Sequence, residues 1–272
     1  MSSQHVKITY TNCFVAFLDI LGFKELVLSK NKEKKRKLEK YFSTIKEITE
    51  DLELKKYEQN LKSITISDSI ILSVPFGKNV NQSLSQLRHL CVAVGKIQYR
   101  LALDDIWLRG AISCGDAFFE NNQVVGPAYT KAFLLEETSK YPRVILDPEI
   151  IEKLEIETAK NLIDYVNESY NGGLKFSSWL PDKILFEWND DAIVNKRIKR
   201  DTAFFIDYLL PCSYDVNHLD KIIFNIRNSI YQKAEVYSKF RWVADYLTAC
   251  LEQTNSPLNV NISLQYDWLK DL

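Results

Sequence analysis

The stretch from Phe14 to Phe23, FVAFLDILGF, sets one acid inside a run of apolar side chains. Such a run reads as a buried strand, and an ionised carboxylate within it costs several kcal/mol unless a cation or a hydrogen-bond donor meets it. Asp19 therefore needs a partner. The same oddity recurs at Asp68, within Ser63 to Val74, SITISDSIILSV, a second run rich in β-branched residues. Here Ile64, Ile66, Asp68 and Ile70 alternate with Thr65, Ser67 and Ser69, which predicts a strand with the acid mid-way along its buried side. If the two strands are antiparallel neighbours, both carboxylates face one pocket at the end of a sheet. Two carboxylates so placed repel unless a divalent cation sits between them, and oxygen-only ligands suit Mg²⁺ or Mn²⁺. The competing reading is that one acid caps a turn and the other pairs with a lysine.

Composition narrows the partners. Lys and Arg number 35 against 36 Asp and Glu, a formal net charge of -1, so nothing general attracts nucleic acid or an anionic membrane. Any anionic ligand must be met locally. The 272 residues are 46% hydrophobic, ample for a large core. The five cysteines, Cys13, Cys91, Cys114, Cys212 and Cys250, are widely spaced without a CxxC pair, which suggests neither a disulfide framework nor a zinc site and fits a reducing cytoplasm. The opening MSSQHVKITY is not of signal-peptide form, and no apolar run approaches the ~18 residues of a membrane span. The expectation is a soluble cytoplasmic protein.

Along the chain, Gly22 allows a tight exit from the first strand, and Phe23 to Thr49 is helical in pattern. Its lysine-rich part, Lys30 to Lys40, reads as a solvated face rather than a phosphate-binding patch. Asn81 to Leu103 carries a helical apolar stripe, with His89 and Cys91 as packing residues. Trp107 to Gly115 is a strand, followed by a turn at Asn121 and Asn122 into another. Pro127 suits the first turn of a helix over about Ala128 to Ser139, with Ala132 and Leu135 inward and Glu136 and Glu137 exposed. Arg143 to Asp147 is a further strand. The order predicts an α+β fold, a mixed, mostly antiparallel sheet with helices packed on it. Beyond Pro148 come a short helix over Glu149 to Leu162, a polar stretch with Asn171-Gly172-Gly173, apolar segments near Ile184 to Trp188 and Ala203 to Leu210, and one long helix from about Asn217 to Gln253. That part would pack on the sheet or on a second subunit.

Other constellations are weaker. Arg109-Gly110, then Gly115, marks a strand where backbones come close. Gly126 at a helix mouth offers amides to an anion. No GxxxxGK[ST] or HExxH occurs, and His5, His89 and His218 are too scattered for a triad or a His-rich metal site.

Taken together, FLDILGF (Phe17 to Phe23), ISDSI (Ile66 to Ile70), LRGAISCGD and VVGPAYTKAFLLEE resemble, in order and spacing, the motifs of the class III nucleotide cyclase homology domain. The resemblance covers roughly residues 12 to 147. It implies a cyclase domain with a ferredoxin-like core over 1–147 and a C-terminal helical extension over 148–272. Within the superfamily, LRGAISCGD, VVGPAYTKAFLLEE and YPRVILDP are most similar to the pyrimidine cyclases of bacterial Pycsar anti-phage defence.

The resemblance implies that Asp19, Asp68 and the carbonyl of Ile20 hold two Mn²⁺ or Mg²⁺ ions. It implies that Leu21, Gly22 and Phe23 cradle the β- and γ-phosphates, and that the active protein is a homodimer with composite sites. The product would be a cyclic pyrimidine nucleotide sensed by a separate effector, made by a phosphorus-oxygen lyase, uridylate cyclase ahead of cytidylate cyclase. This sequence also departs from the purine cyclases. Thr130 and Leu134 stand where those enzymes place an asparagine and an arginine on the helix, so the transition-state cation must be sought in Lys131, Arg109 or Arg143. Ile64 and Gln123 stand where they read the purine, which favours UTP or CTP, and Gln123 can pair with either base. A non-catalytic nucleotide-binding dimer and a purine cyclase are the alternatives.

Overall fold

A computed structural model describes residues 7–54, 61–120, 122–168, 183–187, 204–232 and 234–253. The strand β1 (Thr11–Ile20) lies inside the sheet because both of its faces are apolar, and it is buried without interruption from Cys13 to Leu18. On one side it pairs antiparallel with β3 (Ser69–Pro75), which is joined to the edge strand β2 (Lys62–Ile66) by a tight hairpin. On the other it pairs antiparallel with β4 (Leu108–Glu120), and β5 (Gln123–Val125) folds back on the far end of β4. Close approach explains Gly110 on β4, since a Cβ there would lie 2.4 Å from the carbonyl oxygen of Phe17.

The sheet continues through β6 (Val144–Leu146), parallel to β4, then β8 (Phe204–Ile206) and β7 (Leu185–Glu187), both added antiparallel. The order is β2-β3-β1-β4-β6-β8-β7, an α+β fold with a mostly antiparallel mixed sheet, as the pattern of elements predicts.

Alternate residues of β1 serve two cores. Phe14, Ala16, Leu18 and Ile20 join Leu87, Val94 and Ile97 of α3 (Val80–Leu103), while Cys13, Val15 and Phe17 meet Ala128 and Ala132 of α4 (Pro127–Thr138). The apolar stripe of α3 is the one read in the sequence. Its amino end is fixed by Asn79, whose side chain accepts from the Gln82 amide at 2.9 Å. The region after β1 is two helices, α1 (Phe23–Leu28) and α2 (Lys32–Leu54). They part at Asn31, whose side chain accepts from the Glu33 amide at 2.8 Å. The lysines of α2 form ion pairs: Lys34 with Glu25 at 3.7 Å, Lys40 with Asp104 at 3.7 Å, and Lys37 with Asp105.

After Pro148 the structure departs from the predicted helical tail. The helix expected over Glu149 to Leu162 is two, α5 (Glu149–Lys153) and α6 (Ala159–Glu168). The apolar segments supply β7 and β8. The long helix is also two, α7 (Val216–Ile230) and α8 (Ala234–Gln253). Phe205, Trp242 and Tyr246 stack into the buried cluster that also holds β1, so this part shares one core with the sheet. The Asn171-Gly172-Gly173 stretch and His5 lie outside the described residues. Among those described, all five cysteines are free, and no helix is long and apolar enough to cross a membrane.

Candidate metal and nucleotide site

Asp19 is the penultimate residue of β1, where the sheet runs out, and its register partner on β3 is Ser69. That register brings Asp68, one residue earlier, into hydrogen-bond reach of Asp19. Asp68 is not in mid-strand as the alternation predicts. Ile66 pairs with Ser69, so Ser67 and Asp68 form a two-residue turn, and Ser67 takes a left-handed φ of 58°. The turn also reverses the faces: Ile64 packs with Ile71 in the core under α4, whereas Ile70 and Leu72 face the core under α3, so Ile64, Ile66 and Ile70 do not share the one face that the alternation predicts.

Burial first, then the charge of Asp68 and that of Glu136, push the Asp19 carboxyl up to about 6, with Arg109 opposing. A pair of acids whose mutual repulsion raises one of them fits a divalent cation, which would relieve that repulsion. Carboxylate oxygens are the donor type that Mg²⁺ or Mn²⁺ takes. The described residues hold no group of three or more His, Cys, Asp or Glu side chains suited to a metal ion, so backbone, water or ligand oxygens must complete the shell.

The turn leaving β1 is built for a tight reversal. Gly22 has φ 79°, which favours glycine, and nothing lies within 4 Å of where its Cβ would be. The Leu21 amide donates to the Trp107 carbonyl at 2.8 Å, so of the three amides expected to cradle phosphate it is already committed. Those of Gly22 and Phe23 have no partner among the described residues.

The three candidate cations fall in different places. Arg109 is opposite Asp19 on β4 and reaches its Oδ2 at 3.8 Å, but its Nε is ion-paired with Glu136. Glu136 was expected to be exposed and is instead 3% exposed, because it follows Ala128 and Ala132 at intervals of four on the inward face of α4. Lys131, on the same helix, is ion-paired with Glu149. Arg143 is 2% exposed, its guanidinium carbon 5.2 Å from the Tyr141 ring centroid and 5.3 Å from that of Trp242. Those two rings stack on each other with centroids 5.3 Å apart, and Arg143 is buried against the pair as a core residue.

Gln123 is exposed on β5, and Ile64 is buried. Gly126 is buried too, and a Cβ there would lie 2.6 Å from the Asp116 carbonyl, so packing under β4 accounts for this glycine. One residue of the site gave no signal in the sequence. Tyr41 of α2 is 0% exposed, its hydroxyl makes no hydrogen bond among the described residues, and the charges of Asp68 and Asp19 add to burial in pushing its phenol up.

No family model matches the chain, and neither does any curated protein. Solved structures do. The chain is similar to the adenylyl cyclase CyaB from P. aeruginosa, at 14% identity over 55% of this chain and 83% of that one, with a TM-score of 0.40. It is similar to the guanylyl cyclase Cya2, at 12% identity over 55% and 81%, TM-score 0.37. A class III adenylyl cyclase-like ATP-binding protein from Pseudomonas aeruginosa is 11% identical over 56% of this chain and 36% of that one, TM-score 0.41. Likenesses of this degree assign no activity, which must be argued from the residues.

Proposed function

We propose that the chain is a nucleotidyl cyclase that closes a pyrimidine nucleoside triphosphate, UTP or CTP, into its 3′,5′-cyclic monophosphate. The observation that carries this reading is the meeting of Asp19 and Asp68 at the exit of β1, beside two uncommitted amides of the Gly22 turn. In the reaction the ribose 3′-oxygen bonds to the α-phosphorus while the bond from that phosphorus to the oxygen bridging toward the β-phosphate breaks. The hydroxyl proton goes to solvent, and pyrophosphate leaves.

Asp19, Asp68 and the Ile20 carbonyl would hold two Mn²⁺ or Mg²⁺ ions, whose chemistry when bound is to acidify the 3′-hydroxyl and neutralise the departing pyrophosphate. The amides of Gly22 and Phe23 donate to the terminal phosphates. Arg109, steadied by Glu136, places positive charge at the edge of the acid pair. Ile64 offers no polar group to a purine, and the exposed Gln123 supplies an amide that can pair with a pyrimidine edge. We further propose a homodimer, in which Lys131 of one protomer would serve the acids of its partner. Phe133, at 42% exposure, and Leu134, at 55%, offer an apolar surface for it on α4. The product would act as a second messenger in anti-phage defence, read by a separate effector.

Incubation with each of the four NTPs and Mn²⁺, with products identified by mass, tests the reading. Cyclic UMP or cyclic CMP is the expected product. A cyclic purine product would move the substrate class, and no cyclic product from any NTP would leave a nucleotide-binding module in its place.

A further inference from the structure

A cavity of about 270 Å³ lies against the exit of β1. Leu21 and Gly22 form one wall, Lys34 and Lys37 of α2 a second, and Lys239 and Phe240 of α8 a third. Its volume is many times the ~30 Å³ of one water and below the ~300 Å³ at which pockets for drug-sized ligands begin, so it suits a small anion better than a whole nucleotide.

The lysines of this cavity are not equivalent. Lys37 is ion-paired with Asp105, and Lys34 lies 3.7 Å from Glu25, so the acids that line the cavity are already engaged. Lys239 makes no ion pair among the described residues. Its charge is nevertheless felt by Glu136, the acid that holds Arg109 beside Asp19. Its position is fixed from below: the neighbouring Phe240 is 9% exposed and packs edge-on to Trp107 with ring centroids 5.4 Å apart. Trp107 in turn accepts the Leu21 amide through its carbonyl. The helix that carries Lys239 and the turn that carries Gly22 are therefore tied to one residue.

We propose that α8 completes the phosphate end of the site in cis, with Lys239 binding the β- and γ-phosphates of the triphosphate and the pyrophosphate formed from them. A lysine ammonium is a compact point charge of the kind that binds phosphate, and this one makes no ion pair among the described residues. The inference rests on the cyclase reading for the origin of the ligand. It gives the C-terminal extension a place in the active site that nothing in the class III resemblance assigns to it.

The test is calorimetric titration of inorganic pyrophosphate with Mg²⁺ into the full chain, for wild type, Lys239→Ala and Lys239→Arg, beside turnover on the NTP that wild type uses. Loss of one charge-assisted hydrogen bond predicts pyrophosphate binding at least about tenfold weaker in Lys239→Ala, with KM for the NTP raised similarly. Lys239→Arg should restore most of both, and the melting transition of Lys239→Ala should match wild type. Equal pyrophosphate affinity in wild type and Lys239→Ala, or no binding by wild type, overturns the assignment even if cyclic nucleotide is formed. If Lys239→Ala alone weakens pyrophosphate but wild type cyclises no NTP, the anion site stands and the cyclase reading falls. Should Lys239→Ala fail to fold, Lys239→Gln, which keeps most of the side-chain length without the charge, carries the same comparison.

Discussion

Among the described residues two carboxyls are pushed up to about 6, Asp19 at the exit of β1 and Asp207 just after β8, and in both burial is the first cause. Their surroundings are opposite. Every neighbour of Asp207 works to bring it down: Tyr246 donates to its Oδ1 at 2.5 Å, the Leu210 amide at 3.3 Å, and the Cys250 thiol at 3.6 Å. Around Asp19, Asp68 and Glu136 add to the rise and only Arg109 opposes it. A raised carboxyl by itself thus does not mark a functional site. Asp207 is a buried acid whose donors are all supplied by the fold, and it ties β8 to α8. Asp19 is a buried acid whose neighbours leave a need that a cation would fill.

The largest effect that separates the two is on turnover. Asp68→Ala should lower the rate roughly 10²-fold or more, since metal assistance supplies several kcal/mol of transition-state stabilisation. Asp207→Ala should leave the rate per folded molecule unchanged. A loss of turnover in both, at equal folded fraction, would break the distinction. Stability should divide them the other way. Asp207→Ala strands the Tyr246 hydroxyl and the Leu210 amide and should cost about 2–4 kcal/mol in denaturant unfolding. Asp19→Asn, assayed at pH 7.5 without divalent cations, should cost nothing or stabilise, because it removes a charge that the apo fold holds at a penalty.

The pH dependence sharpens this. A carboxyl raised from 3.8 to about 6 keeps its proton in the folded chain at pH values where the unfolded chain has lost it, so stability falls as pH rises from about 4 to about 6. Both acids contribute with this sign in the absence of metal. A divalent cation binds only the ionised pair, so Mn²⁺ should raise the melting temperature more at pH 7.5 than at pH 5. That gap should vanish in Asp68→Ala and persist in Asp207→Asn. Its survival in Asp68→Ala would remove the metal from the account. A smaller effect is expected from Tyr246→Phe, which deletes a hydroxyl that donates to Asp207 and accepts from the Leu209 amide at 3.0 Å, at about 1–2 kcal/mol. Smallest is Gly22→Ala, at about 1 kcal/mol, since a Cβ there meets only open space and the left-handed φ is the whole penalty.

Much of this was legible in the sequence where one physical pattern acted alone. The apolar run of β1, the stripe of α3 and the proline opening α4 each follow from burial or backbone geometry, and they give the sheet and the place of Asp19. Reading failed where two patterns overlapped. Apolar residues alternate in sequence straight across the turn at Ser67 and Asp68, so Asp68 looked like a strand residue, although the turn puts Ile64 and Ile70 on opposite faces. Glu136 shares the four-residue spacing of Ala128 and Ala132, which marks its inward face, yet a glutamate at that position reads as solvent-facing until Arg109 is seen to meet it. Arg143 could be classed as core only once α8 brought Trp242 onto it, a contact between residues distant in the chain. The break between α7 and α8 carries no glycine or proline among the described residues at 231 and 232, so nothing local announces it.

The central claim is that Asp19 and Asp68 act as one divalent-metal clamp for cyclising a nucleoside triphosphate. Mass identification of the products from UTP and CTP with Mn²⁺, for wild type and Asp68→Ala side by side, tests it most directly. The account predicts cyclic UMP or cyclic CMP from wild type and almost none from the variant at the same folded concentration. Equal product from the two proteins would contradict it.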